Sequence, residues 1–553
     1  MKNPSVLPKF LFALLALFLA PRLCAQHDHG AAQQDAPAHL FEGMGNLHHP
    51  ISTTSPEAQR FFDQGLTLVY AFNHDEALRS FRRAAELDPK AAMPWWGIAL
   101  ALGPNYNLDV DPEREKAAYE AVQKAKSLAA AGPENERAYA DTLATRYSSD
   151  PKADLKKLAH DYAHAMGELS RRYPDDLDAA TIYAESVMDL HPWGLWNLDG
   201  TPAEGTTEIV SVLSSVLARD PNHIGANHYM IHAVEASPHP EWGLPSADRL
   251  TTLVPDGGHL VHMPAHIYAR TGDFGDAIKA NQIAANVDIA YIQTTDAQGV
   301  YPAMYYSHNL HFLAYAAMEA GRYADADKAS STLAENIHLR AQGMPPEMTD
   351  VFVGYRTLVF LRFHRWAEVL DVPEPVKRSA MAEVMWHFSR GVAFAATGKT
   401  AAAEREQTDF VTGAAKIPAD QPVGFNKAGT VLDLAGTILD ARISEAQGDR
   451  KAAIQSLKKA AAIQDGMAYD EPPDWYYPVR ESLGGALLRD GQPAEAEKVF
   501  RESLARNPRN GRSLFGLWQS LKAQNKSADA EWVHSEFMEA WKTADTELRA
   551  DDL

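Results

Sequence analysis

The stretch from Ala58 to Ala91 reads AQRFFDQGLTLVYAFNHDEALRSFRRAAELDPKA and is 34 residues long. Its spacing describes two antiparallel helices with His74 in the turn between them. Gly65 and Ala77 are small where the two helices must approach closely. Phe81 and Ala84 are placed to pack toward a following unit, and Pro89, after Leu87-Asp88, stops the second helix.

The same spacing returns along the chain. Tyr477 to Asn510 carries Gly484, Ala496, Phe500 and Pro508. A unit from Leu434 has Ala441, Ala453, Leu457 and Ala460, with Gly448-Asp449 at its turn. Gly272-Asp273-Phe274 with Ala277, Gly321-Arg322-Tyr323 with Ala326, and Gly398-Lys399-Thr400 with Ala403 mark three more. Asp88-Pro89, Asp220-Pro221 and Asn507-Pro508 punctuate the array, and the pattern is degenerate between about 110 and 220. No strand-period run and no βαβ alternation is present. These features resemble the tetratricopeptide-repeat superfamily over nearly the whole chain after the N-terminus. The resemblance implies an all-α fold, a single continuous superhelix of stacked helix pairs with a concave groove. The organisation expected is N-terminal units over 55–223, central histidine-rich units over 224–345 and C-terminal units over 346–553.

Residues 1–25 have the grammar of a secretory signal: Lys2 and Lys9, then an apolar run from Phe10 to Ala20 too short to cross a bilayer, then Ala25 at a cleavage edge. The expected location is therefore periplasmic or secreted. Residues 26–54 are small and polar and are expected to form a flexible leader, with His27, His29 and His39 as weak metal contacts at best. Cys24 is the only cysteine, which excludes disulfides, thiolate metal ligands and a cysteine nucleophile from the processed chain. The net charge of −21 argues against nucleic acid as a partner, and no segment is long and apolar enough for a membrane span. No His-Glu-x-x-His, phosphate-binding loop, dinucleotide fingerprint or haem-attachment motif occurs.

The family resemblance implies that groove-facing residues lie on the first helix of each unit. Units beginning near Ile224, Gly258 and Ser307 place His228, His232 and Glu235 on one face; His259, His262 and His266 on the next; and His308, His311 and Tyr315 on the third. At 22 histidines in 553 residues, those groove positions would carry fewer than one by chance. They carry seven. Neutral imidazole is the commonest metal ligand, and imidazole with carboxylate suits Zn, Cu or Fe. The expected ligands are His228, His232, Glu235, His259, His262, His266, His308 and His311. Tyr268, Tyr315, Glu185 and Asp189 are candidates for supporting contacts. Pro264 interrupts the second string, so that helix either starts near Val261 or is kinked.

The runs Asn227-His228-Tyr229 to Glu235 and His259-Leu260 to Tyr268 look like those of a group of exported bacterial tetratricopeptide proteins. So do Tyr70 to Ala77, Leu102 to Asn105 and Glu471 to Arg480. That resemblance supplies architecture and no mechanism. Two functions stay open: a transition-metal protein, with or without catalysis, and a scaffold that binds a peptide or envelope protein in its groove. Metal buffering is a third.

Overall fold

A computed structural model describes residues 38–375 and 378–553. The expected signal segment, His27 and His29 lie outside the described residues. Within them the chain is a single array of antiparallel helix pairs, each packing on its neighbours in sequence. The all-α repeat architecture expected from the spacing is what is observed. The strands among the described residues form one hairpin, Pro422–Val423 against Asn426–Lys427. No helix among the described residues is long and apolar enough to cross a membrane.

The first unit shows why this sequence folds so. Ser55 caps the helix Pro56–Tyr70 by accepting from the Ala58 N–H, and Asn73 caps His74–Leu87 in the same way through the Glu76 N–H. Phe81 is fully buried. A β-carbon at Gly65, on the partner helix, or at Gly97, on the helix Met93–Leu102 of the next unit, would run into its ring. Two glycines thus make one slot for one aromatic ring. Phe500 sits between Gly484 and Gly516 in the same manner near the other end. A fully buried Phe side chain contributes about 1.5–3 kcal/mol.

The array closes on itself. Arg362 holds Glu319 at 2.9 Å and Glu481 on its other side, all three buried. Asn510 donates to Glu319, and Arg512 donates to the Arg362 carbonyl at 2.8 Å. The Asp545 carboxylate accepts from the backbone N–H groups of Tyr323 and Ala324 at 2.7 and 2.9 Å. The C-terminal units therefore pack against the central ones. From the other side, Tyr70 lies against Gly225 and Tyr229, and the Tyr291 hydroxyl donates to Glu76 at 2.9 Å.

The polar leader is shorter than its composition suggests. From residue 38 it is bound to the array rather than free. Gln64 donates to the His39 carbonyl and accepts from the Phe41 N–H, both at 2.8 Å. The Gly43 carbonyl accepts from the Asp256 N–H at 3.1 Å, and His49 lies buried with Nδ1 2.8 Å from Asp178. Contacts from three separate segments of the array, through Gln64, Asp178 and Asp256, hold it, which composition alone does not reveal.

Candidate metal centre

The histidines predicted to line an open groove are inside the closed array. His228, His262, His232, His266 and His259 are 0, 0, 1, 1 and 2 % exposed, and Glu235 is 1 % exposed. The helix Ile224–Glu235 is buried along its entire length, so both its faces are core. His223 caps it through the Ala226 N–H. Pro264 does break the second string: one short helix runs Gly258–His262 and the next starts at Pro264, in its first turn, and continues to Thr271. The break keeps His262 and His266 on one side, with ring centroids 4.8 Å apart.

Two triads result. The ligand atoms of His228, His232 and His259 lie within 4.8 Å of one another, as do those of His262, His266 and His308. Hydrogen bonds set the tautomers. His228 Nδ1 donates to the Tyr70 carbonyl at 2.6 Å, and His232 Nδ1 donates to Glu235 Oε1 at 2.9 Å. Each leaves Nε2 as a bare lone pair. His228 Nε2, His232 Nε2 and both nitrogens of His259 have no hydrogen-bond partner. His262 Nδ1 donates to Asn281 Oδ1 at 2.6 Å; that amide is oriented by its own donation to the Ala277 carbonyl at 2.9 Å. His262 Nε2 then faces His266 Nε2 at 2.8 Å. His266 Nδ1 lies 2.8 Å from Glu235 Oε2 and 2.7 Å from Glu471 Oε2.

Electrostatics keeps most of these rings neutral. Burial pushes His228, His259, His262 and His308 well below the usual imidazole value, and neighbouring imidazoles push the same way. His266 is the exception. Burial lowers it, but the carboxylates of Glu235 and Glu471 outweigh that and raise it to about 10. For Glu235, burial pushes upward and the imidazoles of His232 and His266 win, holding it at about 2.

Several residues that spacing could not assign meet here. Glu471 is 6 % exposed and reaches the centre from the C-terminal units. Phe72, at φ +53° in the first inter-helix turn, puts its ring 4.7 Å from His228, 5.4 Å from His259 and 5.7 Å from His232. Tyr106 and Trp193 stack on each other and flank His232. The motif Tyr70–Ala77 through Tyr70 and Phe72, Tyr106 directly after Leu102–Asn105, Trp193 of the aromatic loop and Glu471 thus border one centre, whereas Arg480 turns away to Asp465. Their shared occurrence was visible in sequence; their destination was not.

Other expected residues lie elsewhere. His311 joins neither triad. Its ring turns to the helix Pro346–Arg362 and packs edge-on against Tyr355 at 4.2 Å and Phe352 at 5.5 Å. The Tyr268 hydroxyl donates away from the centre to Asp248 at 2.8 Å. Glu185 and Asp189 belong to a separate buried group in which Arg146 holds Asp189 at 2.6 Å. Burial and the neighbouring carboxylate raise Glu185 well above the usual range. Tyr315 lines a cavity of about 160 Å³ that also exposes Arg270, Tyr469, Asp470 and Glu471.

No family model matches the chain, and no curated protein shows detectable similarity to it. Among solved structures, it is similar to the APC/C hetero-tetramer Cut9–Hcn1 (12% identity, TM-score 0.31, covering 84% of this chain and 76% of that one). It is also similar to the human IFIT1 dimer with m7Gppp-AAAA (13%, 0.30, 88% and 91%) and to yeast Tom70 (12%, 0.26, 86% and 90%). Fold and centre together define the class: an all-helical repeat array closed around clustered imidazoles.

Proposed function

We propose that the closed interior binds transition metal through its imidazole cluster. One observation carries this: one ring nitrogen from each of His228, His232 and His259 converges, within 4.8 Å of one another, and four nitrogens of these three buried rings have no protein partner, in a shell that fixes two of the three tautomers. A buried polar atom left unsatisfied costs about 1–3 kcal/mol. Four together are expensive unless a ligand takes them. Depressed imidazole basicity favours a metal over protons. Carbonyl and carboxylate groups behind the Nδ1 atoms are the support that ligating histidines require. Imidazoles and carboxylates without a thiolate suit Zn, Cu or Fe.

Three protein ligands leave one position of a tetrahedral ion open, the arrangement that activates a bound water. That is the basis for a metal-dependent enzyme as the finer form of this reading. The N-terminal sequence supports a periplasmic or secreted location. A scaffold for a peptide or envelope protein is the second reading. Its partner would dock on another face of the array, since the histidine wall is buried.

The test is elemental analysis of protein purified without a metal-affinity tag. At least one equivalent of Zn, Cu or Fe per chain is expected, falling sharply in His228→Ala and His232→Ala with helicity retained. A folded wild-type protein that neither carries nor takes up these metals ends the proposal.

A further inference from the structure

The placement of Glu235 between the triads points further. We infer that the centre holds two ions, the second one on His262, His266 and His308, with the Glu235 carboxylate orienting one imidazole of each triad. This rests on the reading of the interior as a metal centre and adds the number of sites and their difference in access.

The geometry behind it starts with Glu235. Oε1 accepts from His232 Nδ1 at 2.9 Å, and Oε2 lies 2.8 Å from His266 Nδ1. Each ring therefore presents its other nitrogen away from the carboxylate. His232 Nε2 faces His228 and His259. His266 Nε2 faces His262 Nε2 at 2.8 Å. Asn281 has already claimed the His262 Nδ1 proton, so Nε2 of that ring is a lone pair. Two ring nitrogens this close share a proton or a cation: the proton held on His266 in the metal-free chain, and the ion that displaces it when metal binds. Adjacent ligands at right angles on one ion, with metal–nitrogen bonds of about 2.0–2.1 Å, stand about 2.9 Å apart. His308 completes the set, its ring 4.7 Å from that of His262.

A single ion does not serve both triads. The mutually close donor atoms among these six histidines fall into the two sets of three. In each triad one ring, His228 in the first and His262 in the second, lies 4.7–5.0 Å from the other two, which are 6.4 and 5.6 Å from each other; across the divide His259 and His262 are 5.9 Å apart and His232 and His266 6.1 Å, so it is the donor atoms that divide the six into two sets. The two sites also differ in cover. The first triad is sealed by Phe72, Tyr106 and Tyr70. In the second, His308 is only partly buried, and His266 touches Glu471, which lines the 160 Å³ cavity. The second ion is the accessible one, and a small reactant arriving by that cavity would meet it first.

Chelator-stripped protein titrated with Co(II) or Zn(II) alone, followed by desalting and elemental analysis, tests this. Two equivalents per chain are expected. His228→Ala should keep one, and His262→Ala or the less buried His308→Ala should keep one, each with an unchanged circular dichroism spectrum. Chelator should withdraw the ion absent from His308→Ala at least tenfold faster than the other. One equivalent in wild type, abolished by changes in either triad, overturns the two-ion inference and leaves the metal reading standing. No bound metal at all overturns both.

Discussion

Glu471 Oε2 stands 2.7 Å from His266 Nδ1, so a residue of the C-terminal units completes a cluster built by the central ones. The contact exists only because the array closes. Burial raises Glu471 while His266 draws it down. Glu471→Gln keeps the shape and removes the charge. Supporting carboxylates of this kind govern ligand orientation, and their loss typically weakens metal binding about 10–100-fold. Competition titration against a chromophoric chelator should read a loss in that range, with thermal unfolding of the metal-free protein little changed.

Phe81 tests the packing logic of the array. Its ring fills the slot made by Gly65 and Gly97, and it is fully buried. Phe81→Ala should cost about 3–5 kcal/mol. Urea unfolding should show the loss. Gly97→Ala should destabilise as well, because its new methyl meets the same ring.

Much of this was legible before any coordinates. Gly65, Ala77, Phe81 and Pro89 carry the helix-pair unit because close approach, wedge and stop are local demands with fixed spacing. Most of the histidines were legible for the same reason, since residues three and four apart share a helical face, but the sequence groups them helix by helix, whereas the structure sets His259 with His228 and His232, and His308 with His262 and His266. What stayed hidden depends on closure. The open groove became an interior because small rotations between units add up until Arg362 can bind both Glu319 and Glu481. Glu471, Phe72 and Asn281 reach the histidines through that closure or from a neighbouring helix, and no local period encodes it. His311 was placed by the same periodicity and turned away by Phe352 and Tyr355, an aromatic wall on another helix.

Gly258 opens the short helix that presents His259 and His262. A β-carbon there would collide with the Asp288 carboxylate, which accepts from the Tyr301 hydroxyl at 2.9 Å and from Asn309 Nδ2 at 2.6 Å. Overpacking of this kind costs about 1–3 kcal/mol. Gly258→Ala should lower the melting temperature and also reduce bound metal, since His259 moves with the displaced turn. Gly275→Ala, whose β-carbon meets nothing within 4 Å, should change neither.

The leader should respond to pH through His49. Burial lowers its basicity, but the hydrogen bond and charge of Asp178 outweigh this, with Asp176 and Asp63 adding to the effect, and the net shift is upward. A histidine raised in the folded state stabilises fully below its unfolded value of about 6.5 and loses that contribution as pH rises through the folded value. Proteolysis of residues 38–54 should therefore be slower at pH 6 than at pH 9, after correction for protease activity. His49→Ala should remove most of the difference.

X-ray diffraction from crystals of untagged protein, collected on both sides of the zinc, copper and iron absorption edges, tests the metal centre most directly. The expected result is an anomalous peak about 2.0–2.1 Å from ring nitrogens of His228, His232 and His259. Ordered side chains in the same places, with water or nothing between them and no anomalous signal after soaking in metal, would contradict it.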